Sequence, residues 1–202
     1  MSERTIVVPG EQIADTATRI PGGYSKDGKT YATLVGFLDE NGRYVALESN
    51  YKPMMGDVVV GMITDARHAG YSIDLLLPQE GFIPARTIRI TLQLGDFVVA
   101  KVRKVERNGM VEAGEVRRLP RGKIVEFPSS KIPRLIGKQS SMLDILRTNA
   151  GGDIVVGNNG YVWMSEKCNI PLLLKALEMI KAKAHKPGLT DAMTKFFEEN
   201  KR

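Results

Sequence analysis

Along its first 118 residues the chain alternates short apolar runs with turn-forming dipeptides, and the runs are rich in β-branched and aromatic side chains. Strands are predicted over residues 5–8, 30–38, 44–47, 57–63, 71–77, 89–92 and 96–105. Pro9-Gly10, Pro21-Gly22, Asp27-Gly28, Asn41-Gly42 and Asn108-Gly109 punctuate them, and Asn-Gly is a strong hairpin signal. Many short strands at this spacing suggest small barrels or sandwiches. The pattern then changes. After Leu119-Pro120-Arg121-Gly122 it predicts a strand over 123–127, helices over 130–136 and 141–148, hairpin strands over 153–156 and 161–164, and a long helix over 169–184. That helix carries Leu172, Leu173, Ala176, Leu177, Ile180 and Ala184 as an apolar stripe opposite Lys175, Glu178, Lys181 and Lys183. The order is β-α-α-β-β-α. A tail over 189–202 places Met193, Phe196 and Phe197 on one face of a further helix, suited to packing on its own domain or on a partner.

Composition adds limits. With 202 residues, 43% apolar and 26% charged, the chain falls among ordinary soluble globular proteins, outside the collagen-like, mucin-like and wholly disordered classes. The longest run without a charge, residues 154–165, is far short of the roughly 20 apolar residues a membrane helix needs. Residues 1–10 carry charges of both signs and no apolar leader, so a cytoplasmic protein is expected. Cys168 is the sole cysteine, which excludes an intramolecular disulfide and a Cys-rich zinc site.

The net charge of +6 is unevenly spread. Residues 1–55 hold six basic and seven acidic side chains, and 56–118 hold nine and eight. Residues 119–150 hold six and two, and 151–202 eight and six. Between Lys101 and Arg147 there are twelve basic and five acidic residues. Such clustering suits a polyanion, whose phosphates release counterions when neutralised. A solvated basic face explains the same bias.

Several segments carry candidate chemistry. Ile136-Gly137-Lys138-Gln139-Ser140 joins two predicted helices: a tight turn lets a phosphodiester approach the main chain, Lys138 adds a charge, and the next helix adds free N–H groups. The same residues fit a simple helix start, with Ser141 and Asp144 resembling a capping box. Gly157-Asn158-Asn159-Gly160 reads as a hairpin turn between apolar strands. Phe82 suits core packing or base stacking, Tyr71 and His68 a stacking surface or a rim, and Trp163 the core. Histidines 68 and 185 fall in different predicted domains, so no metal site is expected. Carboxylates are scattered except for Asp39-Glu40 and Glu198-Glu199, and no Walker loop, His pair or activated cysteine is present. No catalytic residues and no cofactor are expected.

These blocks together resemble the RNA-binding cap subunit of the archaeal exosome, the type with an N-terminal β domain, an S1-type OB barrel and a KH domain. Val8-Pro9-Gly10-Glu11 is similar to that family's N-terminal signature. The barrel pattern follows from Gly56-Asp57-Val58-Val59 through Gly81-Phe82-Ile83-Pro84 to Gly95-Asp96 and Lys101-Val102. The KH pattern follows from Ile132-Pro133 to Gly137-Lys138 and Gly157-Asn158-Asn159-Gly160. The resemblance covers nearly the whole chain. It departs at Ser140, where the phosphate-clamping loop usually has glycine, and at Ser72 and Pro84, where an aromatic and a histidine often stack on bases.

The resemblance implies a multidomain β plus α/β chain: a ring-docking β domain over 1–55, the barrel over 56–118, the KH domain over 119–188 and a helical tail over 189–202. It implies a non-catalytic subunit that recruits single-stranded RNA 3′ ends, preferring A-rich tails, and feeds them to a ring of RNase-PH-type subunits bearing three cap copies. Arg86, Lys101, Arg103, Lys104, Arg107, Arg117 and Arg118 are the expected phosphate contacts of the barrel, with Arg134, Gly137 and Lys138 on the KH side. A free-standing S1/KH regulator of messages or ribosomes, needing no ring, and a nuclease in its own right are the alternatives.

Overall fold

A computed structural model describes residues 5–18, 20, 22–38, 44–47, 50–184 and 188–200. The expected Asn41-Gly42 turn, the Asp39-Glu40 pair, Pro21, His185 and the last two residues lie outside these. The chain divides into two compact units, Met1–Lys52 and Pro53–Arg202.

The first unit contains β1 (Ile6–Val7), β2 (Gln12–Ala14), β3 (Gly23–Lys26), β4 (Lys29–Ala32), β5 (Gly36–Leu38) and β6 (Tyr44–Ala46). They form two three-stranded sheets, β1-β5-β6 and β2-β4-β3. The run predicted as one strand over 30–38 is therefore two. Ala32 still pairs with Gly23, whereas Gly36 pairs with Val7 in the other sheet, so the residues between must turn. Val7, Ile13, Ala32, Tyr44 and Ala46 make the core. Thr30 is wholly buried, and its hydroxyl donates to the Thr16 carbonyl at 2.7 Å and accepts from the Thr18 N–H at 3.0 Å. A buried hydroxyl needs such partners.

In the second unit β7 (Val58–Arg67), β8 (Gly70–Asp74), β9 (Gly81–Pro84), β10 (Phe97–Val105) and β11 (Val111–Arg118) close a five-stranded barrel in the order β10-β11-β9-β8-β7. Val59, Ile63, Ile73, Leu75, Ile83, Val98, Val102 and Val111 are fully buried or nearly so. Residues 89–92 are an irregular loop, not the predicted strand, and only Leu92 is buried there. β11 escaped prediction because Gly114 and four charged residues dilute its β-branched signal.

The KH half comprises β12 (Gly122–Glu126), α1 (Ile132–Ile136), α2 (Ser141–Ala150), β13 (Ile154–Val156), β14 (Tyr161–Ser165) and α3 (Ile170–Lys183), with sheet order β12-β14-β13. Asn169 starts α3, its side chain accepting the Leu172 N–H at 3.2 Å. The predicted stripe of α3 is buried at Leu173, Ala176, Leu177 and Ile180. The tail forms α4 (Leu189–Glu199), and its Leu189, Met193 and Phe197 join the same core.

Barrel and KH half meet at the Gly157–Asn158–Asn159–Gly160 turn. The Asn159 carboxamide, 1% exposed, accepts the Val60 N–H at 3.1 Å and donates to the carbonyls of Val60 at 2.7 Å and Leu75 at 3.0 Å. It pairs with β7 as a strand's peptide group would. Gly157 makes the approach possible: a Cβ there would stand 2.6 Å from the Val60 nitrogen. Around it, Val60, Leu119, Tyr161 and Trp163 form an apolar seam, and the Tyr161 hydroxyl donates to Asp74 at 2.7 Å.

Asn159→Ala orphans three buried backbone groups and is expected to cost at least about 3 kcal/mol. Asn158→Ala, which removes a bond to Asp57, is expected to cost under about 1 kcal/mol. Urea titration measures both, and equal losses would contradict the clasp. Burial, then the bond to Asp74, raises the Tyr161 phenol above its ordinary value. The unfolded phenol ionises first, so this contribution is complete below pH about 10 and is lost above it. Tyr161→Phe should therefore decline less steeply in alkali than the wild type, which is read by denaturation across that range. Tyr44, also raised by burial, leaves a residual decline in both.

Candidate nucleic-acid interface

Strand register places Asp65, Ser72, Phe82, Glu112 and Lys104 as successive cross-strand neighbours around the barrel. Phe82 is half-buried and stands outside the barrel's buried core, between inward Gly81 and Ile83. Its ring lies over Gly70, where any Cβ would stand 2.6 Å from the ring. The residue thus keeps one side available for stacking. Ser72 faces it across the sheet and Pro84 is buried, so neither extends an aromatic surface. Tyr71 is half-buried, its oxygen 3.4 Å from the Leu92 N–H, and His68 is exposed in the β7–β8 turn. Trp163 is buried in the seam.

The candidate phosphate contacts fall into two groups. Lys101 pairs with Glu115 at 3.8 Å, Lys104 with Glu106 at 2.7 Å and Arg118 with Asp96 at 2.9 Å. The bond to Glu106 raises the Lys104 ammonium above its ordinary pKa. A phosphate would have to displace a carboxylate at each. Arg86, Arg103, Arg107, Arg117, Arg134 and Lys138 are exposed and make no ion pair among the described residues. Arg86 sits in the helical turn after β9 and Arg107 in the turn before β11. Arg103 lies across Gly114, its guanidinium over the backbone of β11.

On the KH side, Gly137 must be glycine: its φ is +77° and a Cβ would stand 2.7 Å from the Met142 nitrogen. Gln139 and Ser140 follow at φ +52° and +65°. Ser140 thus holds the backbone conformation that glycine would hold without strain. The expected capping box is absent. α2 begins at Ser141, one residue too late for that side chain to cap, and Ser140 makes no side-chain cap bond. α2 thus starts without a side-chain cap, its Ser141 N–H donating to the carbonyl of exposed Lys138.

Arg147 was missed by the sequence reading. It donates to the Ile154 carbonyl at 3.1 Å and lies 3.7 Å from Asp144, so it holds the edge strand β13 to α2. Its spacing from Asp144 suggests only a helix-surface pair, and nothing local links Arg147 to the strand predicted over 153–156. Among the described residues, no group of three His, Cys, Asp or Glu could hold a metal ion, and no helix is long and apolar enough to cross a membrane.

The KH domain family matches residues 122–168. The chain is 30% identical to the exosome complex component Rrp4 of Saccharolobus solfataricus, over 98% of this chain and 90% of that one. It is 34% identical to the exosome complex component Rrp4 of Pyrobaculum aerophilum, over 95% and 91%. A solved structure assigned as an exosome complex RNA-binding protein superposes with a TM-score of 0.65 at 27% identity, covering 75% of this chain and 97% of that chain.

Ser140→Gly is expected to raise stability by roughly 0.5–1 kcal/mol, relief of the left-handed strain outweighing the looser unfolded chain. It should also tighten oligo(A) binding by opening the loop backbone. Thermal melts and fluorescence anisotropy check both, and a fall in both would rule out a phosphate-facing loop.

Proposed function

Because the chain belongs to the family of Rrp4 exosome complex components, we propose that it is a non-catalytic RNA-binding cap subunit that recruits RNA 3′ ends, with a preference for A-rich tails, and delivers them to a phosphorolytic ring. The observation that carries this reading is the joining of a five-stranded barrel to a KH fold in one compact unit, in a chain similar to Rrp4 components along 98% of its length.

The proposed division of labour follows the chain. Residues 1–55 dock on RNase-PH-type ring subunits, the barrel over 56–118 and the KH domain over 119–188 bind RNA, and the tail over 189–202 completes the KH core. Three copies on a hexameric ring in the cytoplasm is the arrangement proposed. Exposed Ile6, Val8, Val35 and Leu47 border the β1-β5-β6 sheet and support a protein-docking role for that face. Arg86, Arg103, Arg107, Arg117, Arg134 and Lys138, without an ion pair among the described residues, are the leading phosphate contacts, with Gly137 admitting the backbone. Lys101, Lys104 and Arg118 join once RNA displaces their carboxylates. Capture acts by raising local RNA concentration near the ring. Phe82 supplies one stacking surface.

Native co-purification is the decisive experiment. The chain should recover phosphorolytic ring subunits, accelerate their trimming of oligo(A), and degrade nothing alone with phosphate and Mg²⁺. Recovery as a free monomer supports the S1/KH regulator instead, and trimming by the isolated chain overturns the non-catalytic reading. Replacing Arg103 and Arg117 by Glu should weaken oligo(A) binding and flatten the salt dependence by a slope of about 1.4, at about 0.7 per lost phosphate contact. An unchanged slope would remove both from the site.

A further inference from the structure

The β3–β4 hairpin of the first unit carries a feature that the proposed docking role leaves unused. Tyr24 pairs with Tyr31 and Lys26 with Lys29 across a two-residue Asp27-Gly28 turn. Positions 24 and 26, and 29 and 31, are two apart, so all four side chains stand on one face. The other face is the core side, where Thr30 and Ala32 are wholly buried. The two tyrosine rings are stacked, with centroids 5.6 Å apart and planes 29° from parallel. Tyr24 is 45% exposed, and both lysines are exposed.

Two facts argue that this face awaits a ligand. Like charges placed directly opposite on paired strands destabilise a hairpin, and neither lysine makes an ion pair among the described residues. Asp27 occupies the turn without bridging to them, and Asp15, near β2, is held by the Gln12 amide at 2.6 Å. Second, the aromatic stack and the lysine pair lie about 7 Å apart along the strands, two residues at roughly 3.4 Å each. A base on the tyrosines would put its own phosphate within reach of the lysines.

We propose that this hairpin face is a further single-stranded RNA contact, separate from the barrel and the KH loop: Tyr24 and Tyr31 form a stacking platform, and Lys26 and Lys29 neutralise the adjoining phosphates. It rests on the RNA-binding reading above. A protein partner is disfavoured on this face, because the unit's exposed aliphatic residues border its other sheet.

The test uses the full chain and labelled oligo(A). Lys26→Gln with Lys29→Gln should reduce the salt slope by about 1.4, and Tyr24→Ser should weaken binding roughly tenfold while Tyr24→Phe retains it. Wild-type protein irradiated with 4-thiouridine RNA should crosslink within the peptide carrying Tyr24 or Tyr31, a readout independent of how any variant folds. Wild-type slope and affinity in the variants, with crosslinks confined to the second unit, overturn the proposal. So does loss of ring-subunit association with RNA binding intact. Failure of the wild-type chain to bind RNA at all overturns the RNA-binding reading itself, and this inference with it.

Discussion

The second unit depends on one carboxamide. Asn159 satisfies both backbone groups of Val60 and one of Leu75, at a place where water is excluded and no strand completes the pairing. An apolar residue there would leave three buried polar groups without partners, and each costs more than an ordinary hydrogen bond returns. The turn therefore does more than reverse the chain. It fixes where the KH half stands against the barrel, and so where Lys138 and α2 stand relative to Phe82 and Arg103.

That fixed geometry matters because each of the proposed RNA contacts is weak on its own. One half-buried phenylalanine, a few arginines without carboxylate partners among the described residues and a glycine-like loop would each bind loosely if free to move independently. Holding them in one body removes the entropy of arranging them at each encounter. The ion pairs at Lys101, Lys104 and Arg118 limit how much of the basic window acts at once. Charge counted along the chain thus overstates the charge presented to a ligand.

Much of this organisation is legible in the chain. The α3 stripe, the Asp27-Gly28 turn and the β-α-α-β-β-α order follow from periodicity and turn chemistry, because each is fixed by neighbours close in sequence. Where long-range partners decide, the reading fails. Residues 89–92 look like a strand, yet no strand among the described residues pairs with them. Residues 111–118 look too polar for one, yet β10 and β9 pair with them on both sides. The role of Asn159 was hidden for the same reason: its partners lie 84 and 99 residues away. Ser141 misled because a capping pattern is local, whereas the left-handed turn at Ser140 moves the helix start by one residue.

Asn159 is followed by Gly160, and an asparagine before glycine is the side-chain amide most readily lost, through attack by the next backbone nitrogen. In the folded chain that nitrogen is engaged with the Gly157 carbonyl at 3.1 Å, and the carboxamide is held by three partners. Folding therefore shelters the joint from chemical ageing. Once unfolded for long, the amide becomes a carboxylate, which would face the carbonyl oxygens of Val60 and Leu75 and could not rebuild the clasp. Each excursion from the native state thus risks a permanent record, and the molecule's working lifetime is set by how seldom it opens.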